Sequence, residues 1–227
     1  MRGDGLLAFL SFFVQLCPPL VQLCQPRAMT GNPVIEAVER LLPNPNEQDE
    51  ILQAYGVERN GFVLSTFHRP ENVDDPATLR SILEALRDLD APVLLPLHPR
   101  TQARIGEYDL SDAAGTIRIV DPIGYRDFIG LGASSLLIVS DSGGVQEEVS
   151  VLKRPSVVVR RSTERQEVEG TFVTRVVPGP DLVPTLEAAL STADDRHREL
   201  MSVPSPYGDS TSPCQIVDAI RSMVDEA

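Results

Sequence analysis

The turn Asp141-Ser142-Gly143-Gly144 has the composition of an anion-binding site. It follows an apolar run and opens a predicted helix over 143–152, so its glycines let the backbone approach a ligand whose negative charge the first free helix amides favour. Ser142 adds a hydroxyl group, and Glu148 lies on the second helical turn, where it could reach a ribose diol. The alternative is a plain helix N-cap in a tight turn. The pattern predicts a phosphate-binding turn.

Polar side chains follow two other apolar runs in the same way. His68 and Arg69 come directly after the run 61–67, and a histidine and an arginine placed together can donate to a pyrophosphate. The alternative is a capping loop with a solvated arginine. His98 follows the run 92–97, and its alternative is an imidazole whose hydrogen bonds are satisfied by the backbone. Both segments are candidate anion contacts.

A charged segment and one aromatic residue complete the candidates. Arg165, in Thr163-Glu164-Arg165-Gln166-Glu167, follows the run 156–159 and could neutralise a phosphate. Arg160 could equally pair with Glu147 or Glu164, so a cluster of salt bridges is the alternative here. Phe128 lies in a predicted helix over 125–131 and could line a base pocket, although aromatic residues at helical spacing more often belong to a core.

These candidates need a scaffold, and the chain predicts one by alternating short apolar strands with amphipathic helices. Fully apolar strands between such helices predict an α/β fold with a Rossmann-like parallel sheet and helices on both faces. A ligand should then lie at the carboxyl ends of the strands, where all four candidate segments begin. The predicted strands are 61–67, 92–97, 116–120, 135–139, 156–159 and 171–177, and the predicted helices are 32–42, 46–57, 75–89, 125–131, 143–152, 182–190, 195–201 and 213–224.

Composition excludes several classes of protein. The net charge of −13 over 227 residues gives no electrostatic footprint for nucleic acid. Three cysteines match no metal-ligand spacing and no disulfide framework, so we expect no metal site and a cytoplasmic protein. Among 20 basic residues only Lys153 is a lysine, which indicates either a proteome adapted to high salt or GC-rich codon usage.

Residues 1–28 differ from the rest of the chain. Their apolar run, 6–14, is too short to span a bilayer and is followed by two prolines, so we predict no membrane span. A signal peptide is one interpretation, because Arg2 precedes the apolar run. The acidic Asp4 in the same short segment argues against it. We favour a segment unrelated to the fold, from a misread start or a truncated reading frame, with the domain covering 29–227.

Taken in order, the motifs from residue 29 onward resemble one family, the non-hydrolysing UDP-N-acetylglucosamine 2-epimerases. The most specific of them is the run from Asp141 to Glu148 with Thr163-Glu164-Arg165 downstream. The matching segments are Thr30-Gly31-Asn32-Pro33-Val34-Ile35, Thr66-Phe67-His68-Arg69-Pro70-Glu71-Asn72, Pro96-Leu97-His98-Pro99, Asp121-Pro122 with Tyr125 and Phe128, Ser140-Asp141-Ser142-Gly143-Gly144-Val145-Gln146-Glu147-Glu148, Thr163-Glu164-Arg165 and Pro206-Tyr207-Gly208-Asp209.

The resemblance implies a fold and a site. The fold is one lobe of a two-domain glycosyltransferase-B architecture, here the C-terminal, nucleotide-binding lobe. The chemistry removes a proton at C2 of the sugar, expels UDP and returns it with C2 inverted, without a cofactor. The resemblance implies that His68 is the catalytic residue and that His68 and Arg165 face the phosphates and the sugar. It places Phe128 beside the uracil and Glu148 on the ribose. The diphosphate would be held by Ser142, Gly143 and Gly144, and the further UDP-sugar contacts would be Arg69, Glu71 and His98.

Departures from the family pattern limit what the resemblance implies. The family's N-terminal domain, which supplies the carboxylates that act at C2, has no counterpart in residues 1–28, so we expect a truncated chain that is weakly active or inactive alone. Gln166 also stands where the family usually has proline. The alternatives are a non-catalytic UDP-sugar-binding module with a separately encoded N-terminal partner, or a glycosyltransferase lobe. A homodimer is a further expectation.

Overall fold

The structure is a computed structural model that describes residues 29–225. The segment 1–28, for which we predict no part in the fold, lies outside the described residues. Within 29–225 the strands are β1 (Val63–Thr66), β2 (Val93–Pro96), β3 (Arg118–Val120), β4 (Leu137–Ser140), β5 (Ser156–Val159) and β6 (Val173–Val176). The helices are α1 (Val34–Leu41), α2 (Pro45–Tyr55), α3 (Pro70–Val73), α4 (Pro76–Arg87), α5 (Pro99–Glu107), α6 (Ser111–Ala114), α7 (Tyr125–Ser134), α8 (Gly143–Leu152), α9 (Leu182–Ser191), α10 (Ala193–Leu200) and α11 (Ser212–Asp225), with a 3₁₀ turn at Gln166–Val168.

The strands form one parallel sheet in the order β3-β2-β1-β4-β5-β6. Val63 of β1 lies opposite Val93 of β2 on one side and Leu137 of β4 on the other. The chain therefore moves outward from β1 to β3 and then returns to the centre to place β4. This return creates a topological switch point between β1 and β4, where doubly wound sheets bind their ligands.

Helices cover both faces of the sheet, which explains why its strands are continuously apolar. Because successive side chains of a strand point to opposite faces, Val63 and Leu64 belong to two different hydrophobic clusters, and both are fully buried. Helices α4, α5 and α9 contribute to the cluster that contains Val63. Helices α1, α2, α7 and α8 contribute to the cluster that contains Leu64. The predicted Rossmann-like sheet with helices on both faces is confirmed.

Two helices show what the sequence pattern did not reveal. Helix α2 begins at Pro45, one residue before the predicted start, because the Asn44 side chain accepts hydrogen bonds from the amides of Asn46 and Glu47. Proline at the first helical position fits this cap, since it needs no amide hydrogen there. Helix α5 was not predicted, because Ile105 is its one buried large apolar residue. No helix within 29–225 is long and apolar enough to cross a membrane.

Candidate functional site

The four candidate segments follow strands that are neighbours in the sheet. His98 follows β2, His68 and Arg69 follow β1, the Asp141–Gly144 turn follows β4, and Arg165 lies in the loop after β5. These strands occupy adjacent positions in the order β2-β1-β4-β5. The expected meeting of the four segments at one edge of the sheet is therefore observed, and it is centred on the switch point.

Asp141 connects the loops after β1 and β4. Its side chain is fully buried, and its carboxylate accepts hydrogen bonds from the backbone amides of His68, at 3.1 and 3.2 Å, and of Arg69, at 2.9 Å. Asn72 Nδ2 donates to the same carboxylate at 3.1 Å and to the carbonyl oxygen of Val159 at 2.9 Å. The carboxylate thus joins the segments after β1 and β4, and Asn72 extends the link to the end of β5. Sequence reasoning did not single out Asn72, although it lies in a quoted motif.

The same carboxylate orients the imidazole of His68. Nδ1 of His68 lies 3.1 Å from Oδ1 of Asp141, so the ring nitrogen that Asp141 leaves free is Nε2. The ring centroids of His68 and His98 are 5.4 Å apart. Nδ1 of His98 accepts a hydrogen bond of 3.2 Å from the amide of Arg100 and caps helix α5. The interpretation of His98 as an imidazole whose hydrogen bonds are satisfied by the backbone therefore holds for one of its two ring nitrogens, Nδ1.

The turn after β4 begins helix α8 as predicted. Ser142 is the N-cap, its amide donates to Oγ of Ser140 at 2.9 Å, and its hydroxyl accepts from the amide of Val145 at 3.5 Å. The first amides of a helix have no partner within it, so those at Gly143 and Gly144 can meet a ligand. A Cβ on Gly143 would lie 2.9 Å from Oε1 of Glu164, whereas one on Gly144 would meet no atom closer than 3.8 Å.

The charged segment after β5 forms ion pairs, as the alternative interpretation predicted. Arg160 Nη2 lies 2.9 Å from Oε2 of Glu164, and Arg69 Nη2 lies 3.8 Å from Oε1 of the same residue. Arg165 Nε lies 2.5 Å from Oε1 of Glu147, so this guanidinium has a carboxylate partner within the chain. The hydrogen bond from Arg160 is the main reason that the pKa of Glu164 is lowered.

Gln146 anchors the charged segment to the turn, and sequence reasoning did not single it out. Its side chain is fully buried, with Nε2 donating to the carbonyl oxygen of Ser142 at 3.2 Å. The hydroxyl of Thr163 donates to Oε1 of Gln146 at 2.6 Å, and the amide of Arg165 donates to that hydroxyl at 3.0 Å. The available signal was its place inside the quoted run Ser140–Glu148, and the structure adds that a glutamine fully enclosed by protein needs hydrogen-bond partners for its amide.

Glu148 and the first turn of α7 form a second part of the site. The Glu148 side chain is buried at 8% exposure, and this burial raises its pKa, which a hydrogen bond from Tyr125 opposes. Burial and the nearby Glu148 carboxylate also raise the pKa of the Tyr125 hydroxyl. Phe128, one turn along α7, is half-buried and packs against the hydrophobic cluster on that face of the sheet.

Glu71 differs from the other candidates, and the described residues contain no obvious metal site. Glu71 is exposed on the one-turn helix α3, and no side-chain hydrogen bond or ion pair of Glu71 is found within 29–225. In the same part of the chain, no group of three or more His, Cys, Asp or Glu side chains could hold a metal ion. A groove of about 940 Å³ lies beside β6 and α9, and its walls contain none of the candidate residues.

The fold and this edge of the sheet define an α/β domain with an anion-friendly site at its switch point, the arrangement typical of nucleotide-binding domains. The model of the UDP-N-acetylglucosamine 2-epimerase family matches residues 26–221, and the chain belongs to that family. The family assignment that the motifs indicated is confirmed, and with it an isomerase family and the fold of one glycosyltransferase-B-type lobe.

Individual relatives match different shares of the chain. A UDP-2,3-diacetamido-2,3-dideoxy-D-glucuronate 2-epimerase of Pseudomonas aeruginosa is 44% identical over 113 residues, which is 48% of this chain and 31% of the relative. A UDP-N-acetylglucosamine 2-epimerase of Methanocaldococcus jannaschii is 34% identical over 148 residues, 61% of this chain and 40% of the relative.

A solved structure extends the likeness to most of the domain. The crystal structure of the Methanocaldococcus jannaschii UDP-GlcNAc 2-epimerase in complex with UDP-GlcNAc and UDP has a TM-score of 0.72 and 28% identity, covering 85% of this chain and 54% of that one. The chain therefore spans about half the length of the solved relative and less than half of the two curated relatives named above.

Proposed function

We propose that this chain holds the UDP part of a UDP-sugar in the reaction of a UDP-N-acetylglucosamine 2-epimerase. The observation that carries the proposal is the buried Asp141 carboxylate, which fastens the His68–Arg69 loop against the Ser142-Gly143-Gly144 turn at the switch point. An arginine, an imidazole and the free amides of a ten-residue helix then face the same edge of the sheet. Backbone amides at a helix start and a guanidinium are the groups that proteins use to bind a diphosphate.

The individual roles follow from position. Ser142, Gly143 and Gly144 would bind the diphosphate, with Arg69 and Arg165 supplying positive charge. Glu148 would accept from the ribose hydroxyls, and Phe128, near it on the adjacent helix, would lie beside the uracil. Glu71, on α3 after β1, and His98, at the start of α5 after β2, would be further contacts of the UDP-sugar.

The chemistry that these groups support is stabilisation of a leaving group. In the proposed elimination a base removes the proton at C2, its electron pair forms the C1–C2 double bond, and the C1–O bond breaks with its pair on UDP. Negative charge grows on the diphosphate as this happens, and preorganised donors that meet growing charge lower the barrier. His68, held by Asp141, would present Nε2 to the departing phosphate or the sugar. UDP then returns to C1 as C2 is reprotonated with inverted configuration.

The proton transfer at C2 is not assigned to this chain. The likeness to the solved relative covers about half its length, and the part of that relative outside the match is the candidate source of the base, a group that typically contributes 10²–10⁴-fold in rate. We therefore propose tight nucleotide binding with weak or no epimerisation by the pure protein. Substantial conversion of UDP-N-acetylglucosamine to UDP-N-acetylmannosamine by the chain alone would contradict this division of the reaction.

Calorimetry with UDP tests the binding role. We expect the unmodified chain to bind UDP with a dissociation constant on the order of micromolar, and we expect Glu148→Ala to abolish this binding. Glu39→Ala is the matched control, because Glu39 is an exposed residue of α1 on the outer surface. Uridine alone should bind far more weakly than UDP, since it lacks the diphosphate. If the chain binds UDP no better than uridine, the proposed nucleotide site is wrong.

Binding without turnover leaves one further role, that of a UDP-sugar-binding module. The observation that supports this role is that the match covers only about half the length of the solved relative. The two are separated by adding a protein that contains the other half of the relatives' sequence. Epimerisation restored by that addition supports a half-enzyme, and UDP binding with no restored turnover supports the module.

A further inference from the structure

We propose that Glu164 is a built-in counter-anion of the phosphate site, which holds Arg160 and Arg69 in place and releases both to a bound diphosphate. The proposal deepens the proposed function, on which it rests, and adds Arg160 to the ligand-binding residues. It concerns the space directly above Gly143, at the start of α8.

Three charged groups converge on that space. A Cβ built on Gly143 would lie 2.9 Å from Oε1 of Glu164, 3.7 Å from Nη2 of Arg69 and 4.0 Å from Nη1 of Arg160. A carboxylate therefore already lies at the helix N-terminus, where a negative charge is stabilised by free amides and by the helix dipole. A phosphate seated on the same amides would compete with Glu164 for this position.

Arg160 provides the independent sign that a larger anion belongs here. Its exposure is 6%, and its backbone amide donates to the carbonyl oxygen of Val176 at 2.8 Å, so the residue is held inside the sheet edge. Within residues 29–225 its Nε and Nη1 have no hydrogen-bond partner, although Nη2 contacts Glu164. A buried guanidinium with two unsatisfied nitrogens is costly, and phosphate oxygens are acceptors suited to its planar fork.

The two partners differ in their freedom to move. The side chain of Glu164 is 48% exposed, whereas that of Arg160 is 7% exposed. Glu164 can turn toward water and keep its charge hydrated, while Arg160 has to stay where it is. An incoming diphosphate would thus displace the carboxylate and bind two arginine side chains that already lie beside the space above Gly143.

Charge sets the expected effect of removing Glu164. Arg69, Arg160 and Glu164 together carry one net positive charge, and they carry two once the carboxylate is neutralised. Glu164→Gln should therefore bind inorganic pyrophosphate and UDP about tenfold more tightly, the size expected when one unit charge leaves the edge of a partly solvated site. Glu187→Gln makes the same charge change at an exposed position of α9 and should leave both affinities unchanged.

The test is calorimetry of the unmodified chain and both variants with pyrophosphate and UDP, accompanied by thermal unfolding. Without ligand, Glu164→Gln should unfold at a lower temperature, because Arg160 loses its carboxylate, and pyrophosphate should raise its Tm more than that of the unmodified chain. A structural role for Glu164 alone would lower the Tm without any gain in anion affinity.

Two results separate this inference from the proposed function. If Glu164→Gln binds pyrophosphate no more tightly than the unmodified chain, or if Glu187→Gln shows the same gain, the counter-anion role is overturned. If pyrophosphate binding is strengthened but UDP binds no better than pyrophosphate, the anion site stands and the uridine-specific part of the proposed function fails.

Discussion

Replacing Asp141 by asparagine tests how the site is assembled. The carboxylate accepts from the amides of His68 and Arg69 and from Asn72, and it lies 3.1 Å from Nδ1 of His68. Asparagine keeps the volume of the side chain but has one acceptor oxygen instead of two. If that oxygen stays with Arg69 and Asn72, the new NH₂ group faces the amide of His68, donor against donor.

The size of the effect follows from these bonds. A buried NH₂ group that faces a donor instead of an acceptor costs about 1–3 kcal/mol, and each of the two retained bonds loses roughly 1 kcal/mol when the acceptor is no longer charged. Asp141→Asn should therefore lower the free energy of unfolding by about 3–5 kcal/mol, a large part of the roughly 5–15 kcal/mol typical of a domain. The variant should also hold the His68–Arg69 loop less firmly against the turn after β4, so UDP affinity should fall even where the variant is folded.

Urea unfolding followed by circular dichroism measures the stability, and calorimetry at a temperature where the variant is folded measures UDP binding. Asp90→Asn is the matched control, because Asp90 is exposed and should change stability by no more than about 0.5 kcal/mol. A loss below about 1 kcal/mol for Asp141→Asn would refute the conclusion that this carboxylate fastens the loops.

Three further predictions separate folding from binding. Gly143→Ala should fold normally, since its Cβ meets the movable end of Glu164, but should weaken UDP binding more than tenfold in calorimetry. Gly144→Ala has open space around its Cβ and should bind UDP within about threefold of the unmodified chain. Equal effects of the two substitutions would contradict this geometry. Burial raises the pKa of Glu148 above its ordinary value of 4.5, so keeping this carboxyl group ionised at pH 7 costs stability in the folded chain. In urea titrations Glu148→Gln should therefore be more stable than the unmodified chain at pH 7 and lose that advantage as the pH falls to 4.5, and it should bind UDP poorly. A stability advantage that does not depend on pH would refute this. Asn44→Ala removes the cap of α2 and should cost about 1 kcal/mol in the same urea titrations while UDP affinity stays unchanged.

The elements of the fold were largely predictable, because their signals are local. The helix over 143–152 and the strand over 156–159 have the predicted ends, since a glycine-rich turn and a run of valines mark them in the chain. The helix over 99–107 was not predicted, because it has few apolar residues and its cap is a histidine rather than one of the usual capping residues. The predicted roles of the site residues stay predictions until a ligand is measured.

The sequence by itself determined which segments follow strands and carry anion-friendly side chains. Apolar runs, glycines and prolines specify local backbone conformation, so the turn at Asp141–Gly144 could be located without any contact information. It also determined the family, through motifs whose spacing is specific.

Only the tertiary structure decided how those segments combine. Asp141 and His68 are 73 residues apart in the chain, and their contact depends on β1 and β4 being neighbours at the switch point. Glu164 likewise reaches Gly143 only because β5 lies beside β4. Strand order is set by packing the whole sheet between two layers of helices, a non-local balance that no single segment encodes, and it turns an apparent phosphate turn into a site with its own counter-anion.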